Sequence, residues 1–246
     1  MKVQWLAASL LAMSAWTQAE SEPAAASAPA AEILPASETL GVRQPESVPY
    51  REALSWLDEF DQHHGLAPQA SLQFQLRPPK GQTLPEDLVL KIVGESKVEA
   101  LPVSRDGRVT LPRIAELAQD EDAVVRSNQK QGSYRWRPIV RTPGLADNVQ
   151  RLGDLRLICR VYWPMMKQEL SWAARASMSV VGNMCTMQAM ALVFPSARKI
   201  ESIQLQAGGR QAPLTRIQNG GHGFIAPLAD ESWPDDTLLM FRYAGG

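Results

Sequence analysis

Histidine and cysteine are scarce in this sequence: His63, His64 and His222 are its only imidazoles, and Cys159 and Cys185 its only thiols. A serine or cysteine nucleophile needs a base held beside it, so few catalytic arrangements are open. The Gly-x-Ser-x-Gly elbow is missing, because Gly94-Glu95-Ser96-Lys97-Val98 lacks the second glycine. So is the His-Glu-x-x-His pattern of zinc hydrolases. The acidic clusters Asp120-Glu121-Asp122 and Asp235-Asp236 do not have the spacing of a calcium loop and read as solvated turns. With neither a glycine-rich phosphate loop nor a dinucleotide fingerprint, nucleotide chemistry has no support and no cofactor is expected. No later stretch reaches the roughly 20 apolar residues of a spanning helix without a charge. Nor is there a bulk excess of charge: 25 Lys and Arg stand against 26 Asp and Glu, which announces no class of partner.

What is present begins with Lys2, followed by a mostly apolar run from Val3 to Trp16 and then Thr17-Gln18-Ala19 before Glu20. This order of a positive residue, a short apolar stretch and a small residue predicts a cleaved secretory signal peptide over residues 1–19. No cysteine follows it closely enough to carry a lipid, so the expected mature protein is free and soluble in a bacterial periplasm or outside the cell. In such an oxidising compartment two cysteines predict a Cys159–Cys185 disulfide.

Residues 20–49, rich in Ala, Pro, Ser and Glu, bury too little apolar surface to offset their ordering entropy and predict a disordered linker. Leu54, Leu57 and Phe60 then recur at helical spacing, predicting a helix over Tyr50–His63. Ser71–Arg77 alternates Leu72, Phe74 and Leu76 against polar residues, the pattern of a half-buried strand stopped by Pro78-Pro79. Further strands are predicted at Leu88–Val93, at Arg108–Leu111 as its partner across an Asp106-Gly107 turn, at Ala123–Arg126 and at Ser133–Val140. Asp154–Trp163 places Leu155, Leu157, Cys159, Val161 and Trp163 on one side and predicts a strand. A helix from Pro164 to Met178 and a buried strand over Thr186–Phe194 complete the reading.

The feature order of residues 88–125 recurs in 200–241. Asp106-Gly107, Leu111-Pro112 and an acidic cluster in the first stretch are echoed by Asn219-Gly220-Gly221, Ala226-Pro227 and a second acidic cluster. A small all-β unit used twice would explain this, and a chance likeness of two strand-and-turn segments would do so equally. The expected fold is mainly β: one or two sandwich-like antiparallel units with a short N-terminal helix, the first unit over 50–150 and the second over 151–246.

Charge is segregated along the chain. Residues 20–62 hold nine acidic side chains against Arg43 and Arg51, and residues 126–160 hold eight basic ones against Asp147 and Asp154. The two blocks can meet and cancel in the fold, or leave a basic face for an anionic ligand. The candidate ligand-binding residues are Tyr134, Arg135, Trp136 and Arg137, extended by Arg156 and Arg160, since arginines interleaved with aromatics hold anionic groups by paired hydrogen bonds and stacking. Equally, Tyr134 and Trp136 can be core and the arginines a solvated face. Export argues against nucleic acid, leaving an anionic envelope polymer or an acidic partner protein. The functional expectation is a non-catalytic periplasmic accessory or binding protein. Its rivals are a metal-dependent hydrolase using His63, His64 and His222, and a structural subunit of an envelope assembly.

Overall fold

The computed structural model describes residues 44–168, 171, 184–187 and 191–245, all within one compact unit. Residues 1–43, which carry the expected signal peptide and most of the linker, lie outside them. The fold is mainly β, with several antiparallel sheets. Pro45–Pro49, assigned to the linker by composition, instead forms the first strand, β1, paired with Val124–Lys130. Helix α1 (Tyr50–His63) follows at once, over the predicted range, and buries Tyr50, Ala53 and Trp56, with Leu54, Leu57 and Phe60 only partly buried beside them.

Strands β2 (Ser71–Arg77), β3 (Leu90–Val93), β4 (Val98–Leu101), β5 (Arg108–Val109), β6 (Val124–Lys130) and β7 (Arg135–Arg141) make two sheets, with the short helix α2 (Ala115–Gln119) before β6. One has the order β1-β6-β3-β4 and the other β5-β2-β7. The partner of β3 is β4, across Gly94–Lys97, whereas β5 pairs with β2. Asp106-Gly107 therefore turns the chain from one sheet to the other instead of closing a hairpin on β3. On β2, Phe74 and Leu76 face a core shared with Trp56, Trp136, Ile92 and Val125.

The next strand, β8 (Val149–Arg151), runs directly into α3 (Leu152–Gln168). Asp154–Trp163 is thus helix, not strand, and Pro164 lies inside the helix, where it forfeits one backbone hydrogen bond. Leu152 and Leu155 pack into one core, Leu157 into a small second one, Val161 and Met165 into the core under β2, and Cys159 and Trp163 into a fourth cluster. A helix buried on this many sides shows no single apolar stripe. Beyond α3, residues 169–170, 172–183 and 188–190 are not described. Met184–Thr186 is a 3₁₀ turn, and among the described residues of the stretch expected as a strand Val193 and Phe194 are extended, within β9 (Val193–Pro195). The Cys159–Cys185 disulfide closes a span of 26 residues.

Strands β10 (Ile200–Ala207), β11 (Arg210–Pro213), β12 (Ile217–Gln218), β13 (Gly223–Ile225) and β14 (Leu238–Tyr243) complete a sheet of order β11-β10-β14-β8 and one of order β12-β13-β9. Read from β8, the larger sheet is β8-β14-β10-β11, the order β1-β6-β3-β4 over again. The register agrees as well. Ile92 pairs with Val125 and Leu205 with Leu239, each pair buried. The Tyr50 N–H donates to Ala123 O just before β6, and the Leu152 N–H to Thr237 O just before β14. Phe74 faces Val109 as Phe194 faces Phe224.

Candidate functional site

Alternation divides β7 between two faces of its sheet. Trp136, Pro138 and Val140 turn inward, and Arg135, Arg137, Ile139 and Arg141 turn outward. Tyr134 and Trp136 are core residues, 3% and 8% exposed, and the Trp136 ring packs on Trp56, Phe74 and Tyr134. Burial pushes the Tyr134 phenol up to about 12, against an opposing hydrogen bond with Ser127. Both residues nonetheless contribute to the lining of a cavity beside Arg135.

The arginines fare differently. The register Arg77↔Arg135, Gln75↔Arg137 and Gln75↔Arg108 puts Arg77, Arg108, Arg135 and Arg137 on one outer face. Arg108 pairs with Asp106 at 2.6 Å, and Arg141 is spent on the carbonyls of Leu145, Ala146 and Val149. Arg77 and Arg137 make no ion pair with an acidic side chain among the described residues. Partial desolvation, and secondly repulsion from Arg137, holds the Arg77 guanidinium below its ordinary value. Arg137 lies over the Tyr162 ring of α3 at 4.7 Å, a cation–π contact.

Both arginines line a cavity of about 540 Å³. Its lining also includes Gln75, Ile139 and Arg141 of the sheet, Leu155, Ile158 and Tyr162 of α3, and Leu192–Pro195 with Phe224. At its edge Thr142 is fixed to the buried Asp154, donating its N–H to Oδ2 at 2.8 Å and its hydroxyl to Oδ1 at 2.6 Å. That carboxylate is thereby engaged and sits in the first turn of α3, where the helix dipole favours it.

The other sequence candidates lie elsewhere. Arg135 lines a separate cavity with Tyr134 and Trp136, two more of the sequence candidates, and with Glu46, Glu52 and Trp56. Arg156 is not on the exposed face a strand would have given it. It is a clamp, bonded to Asp235 at 2.5 Å and to the carbonyls of Leu228, Asp230 and Trp233. Arg160, on α3, repels the His63 imidazole. The three histidines have separate partners: His63 meets Glu59 at 3.4 Å, His64 Nε2 meets Ala70 O, and His222 Nδ1 meets Ser196 O. Among the described residues no group of three or more His, Cys, Asp or Glu side chains is arranged to hold a metal ion. The residues that sequence reading missed are Arg77 and Gln75. Their signal was the polar half of the β2 alternation, which becomes a cavity-facing row only once β2 is known to lie beside β7.

Comparison with protein-family models, with curated proteins and with solved structures gives no match in any of the three.

Proposed function

We propose that this is a non-catalytic exported binding protein, working in the periplasm, that holds an anionic envelope component against the outer face of the β5-β2-β7 sheet. The observation that carries this reading is the pair Arg77 and Arg137, without acidic partners among the described residues, in the wall of a cavity of about 540 Å³. That volume is within the roughly 300–1,000 Å³ of small-ligand sites. Two guanidiniums held near one another are costly until an anion neutralises both, and planar forks suit carboxylate or phosphate. Export is supported by the signal-like order of residues 1–19, by the disulfide, and by the lack, among the described residues, of any helix long and apolar enough to cross a membrane. The matching strand orders support a reading of the folded part as two related β units, near residues 50–150 and 151–246.

The test is binding of the purified full chain to immobilised polyglutamate across a salt series. The wild type should be retained at low ionic strength and released as salt screens the contact. Arg77→Glu with Arg137→Glu should cost at least about tenfold in affinity, while Arg210→Glu on β11 should not. Equal retention of all three proteins would remove the site.

A further inference from the structure

Strands β2 and β9 correspond through the matched pairs Phe74–Val109 and Phe194–Phe224, but their edges are not equally filled. β2 pairs with β5 on one side and β7 on the other, whereas β9, among the described residues, pairs only with β13. The phase of its backbone follows from the Ser196 N–H donating to His222 O and from Phe194 lying opposite Phe224. Antiparallel pairing then alternates, so Val193 and Pro195 turn their main-chain groups away from β13, as Gln73 and Gln75 on β2 turn theirs toward β7. Unpaired among the described residues, this edge presents one donor, the Val193 N–H, and two acceptors, the carbonyls of Val193 and Pro195. It lies in the wall of the arginine cavity, and the Val193 side chain is 40% exposed. In the same cavity wall the Gln150 Oε1 atom is buried without a hydrogen-bond partner.

These groups ask for a ligand that carries both carboxylates and N–H donors. An amide-free polyanion such as polyphosphate satisfies Arg77 and Arg137 but has no N–H donors for the Val193 and Pro195 carbonyls or for Gln150. We propose that the occupant of the cavity is an extended, acidic segment of a partner protein, which adds to β9 as an antiparallel strand, in the place that β7 fills beside β2, and sets its carboxylates on Arg77 and Arg137. Main-chain hydrogen bonds then supply affinity, and the arginines supply selectivity for acidic side chains. This inference rests on the arginine-face reading above and specifies its partner.

Fluorescence anisotropy with the full chain can test it, using labelled six-residue peptides that alternate Glu with Val, Thr or Phe, their forms N-methylated at alternate amides, and polyphosphate as an amide-free anion. The expected result is saturable binding of at least one peptide, at least about tenfold weakened by N-methylation in one phase but not in the other, and similarly by Arg77→Glu with Arg137→Glu. Because the N-methyl comparison needs no change in the protein, a misfolded variant cannot imitate it. Peptide binding lost with the arginines but indifferent to both N-methyl phases would overturn strand addition and leave the arginine face standing. Polyphosphate bound more tightly than every peptide would do the same. Peptide binding unaffected by the arginine changes would overturn both.

Discussion

The N-terminal and C-terminal halves follow the same strand order but secure it by different means. In the N-terminal half the link from α1 to β2 is short, and the loop before β6 is held by a buried phenol: the Tyr50 hydroxyl donates to Pro112 O at 2.7 Å and accepts from the Ile114 N–H at 2.9 Å. In the C-terminal half α3 and β9 are far apart in sequence and joined across a disulfide, and the matching loop before β14 is held by the Arg156 guanidinium. The contrast shows that strand order is set by the alternating apolar positions common to both halves, such as Ile92 and Leu205, while each connection is stabilised locally by whatever side chain reaches it. It also shows where the halves cease to match: among the described residues β2 has two neighbours and β9 one.

The strongest way to break the comparison is to cut the disulfide, which has no counterpart in the N-terminal half. Closing a span of 26 residues limits the unfolded chain by about 3.5 kcal/mol in the chain-entropy account. Replacing Cys159 and Cys185 together by serine should lower stability by about that amount in urea unfolding, and dithiothreitol should have the same effect on the wild type. A loss below about 1 kcal/mol would mean that the long link is held by its packing rather than by the bond.

A smaller effect sharpens it. Arg156 is 14% exposed at its side chain, and replacing it by alanine removes the ion pair to Asp235 and the guanidinium donors to the carbonyls of Leu228, Asp230 and Trp233. About 3 kcal/mol should be lost. The ion pairs in the other half that link α1 to the segment before α2 are Arg113 to Asp58 at 2.7 Å and to Asp61 at 2.6 Å, with all three side chains well exposed. Arg113→Ala should cost less than about 1 kcal/mol. If the two substitutions prove equal, the clamp is not what distinguishes the C-terminal loop.

The N-terminal half was the more legible in sequence, for a physical reason. Strand β2 has one apolar and one polar face, so period 2 shows directly in Leu72, Phe74 and Leu76, and the helical spacing of Leu54, Leu57 and Phe60 locates α1 although its fully buried residues are Tyr50, Ala53 and Trp56. Helix α3 touches several cores. Leu155, Leu157, Cys159, Val161 and Trp163 are all buried, with Arg156, Ile158, Arg160 and Tyr162 less so, and this imitates a strand's alternation although the backbone is helical. That misreading moved Arg156 and Arg160 onto the candidate face. Arg135 and Arg137 were placed on one face because β7 does alternate, but their neighbours Arg77 and Gln75 depend on pairing between strands about 60 residues apart, which no local pattern reveals. The echo between the halves was visible at Leu111-Pro112 and Ala226-Pro227. The turn before it matches one residue further on than the glycines suggested, since the carbonyl of Gly107 accepts from Leu76 as that of His222 accepts from Ser196.

The finest difference between the halves is electrostatic and lies where their two helices meet. His63, at the end of α1, is held below its ordinary value first by partial burial and then by repulsion from Arg160 on α3, with Glu59 opposing. In the unfolded chain the ring takes up its proton near 6.5, and in the folded chain it does so at a lower pH. Between those two values the folded state binds fewer protons, so stability falls as pH drops through the unfolded value and settles once both states are protonated. Arg160→Gln removes the repulsion and leaves the burial. Its urea midpoint should therefore decline less than that of the wild type when the buffer moves from about pH 7.5 to about 5.5, with the larger part of the decline kept. Equal declines in the two proteins would show that the two helices do not communicate through this pair of charges, and that burial alone governs His63.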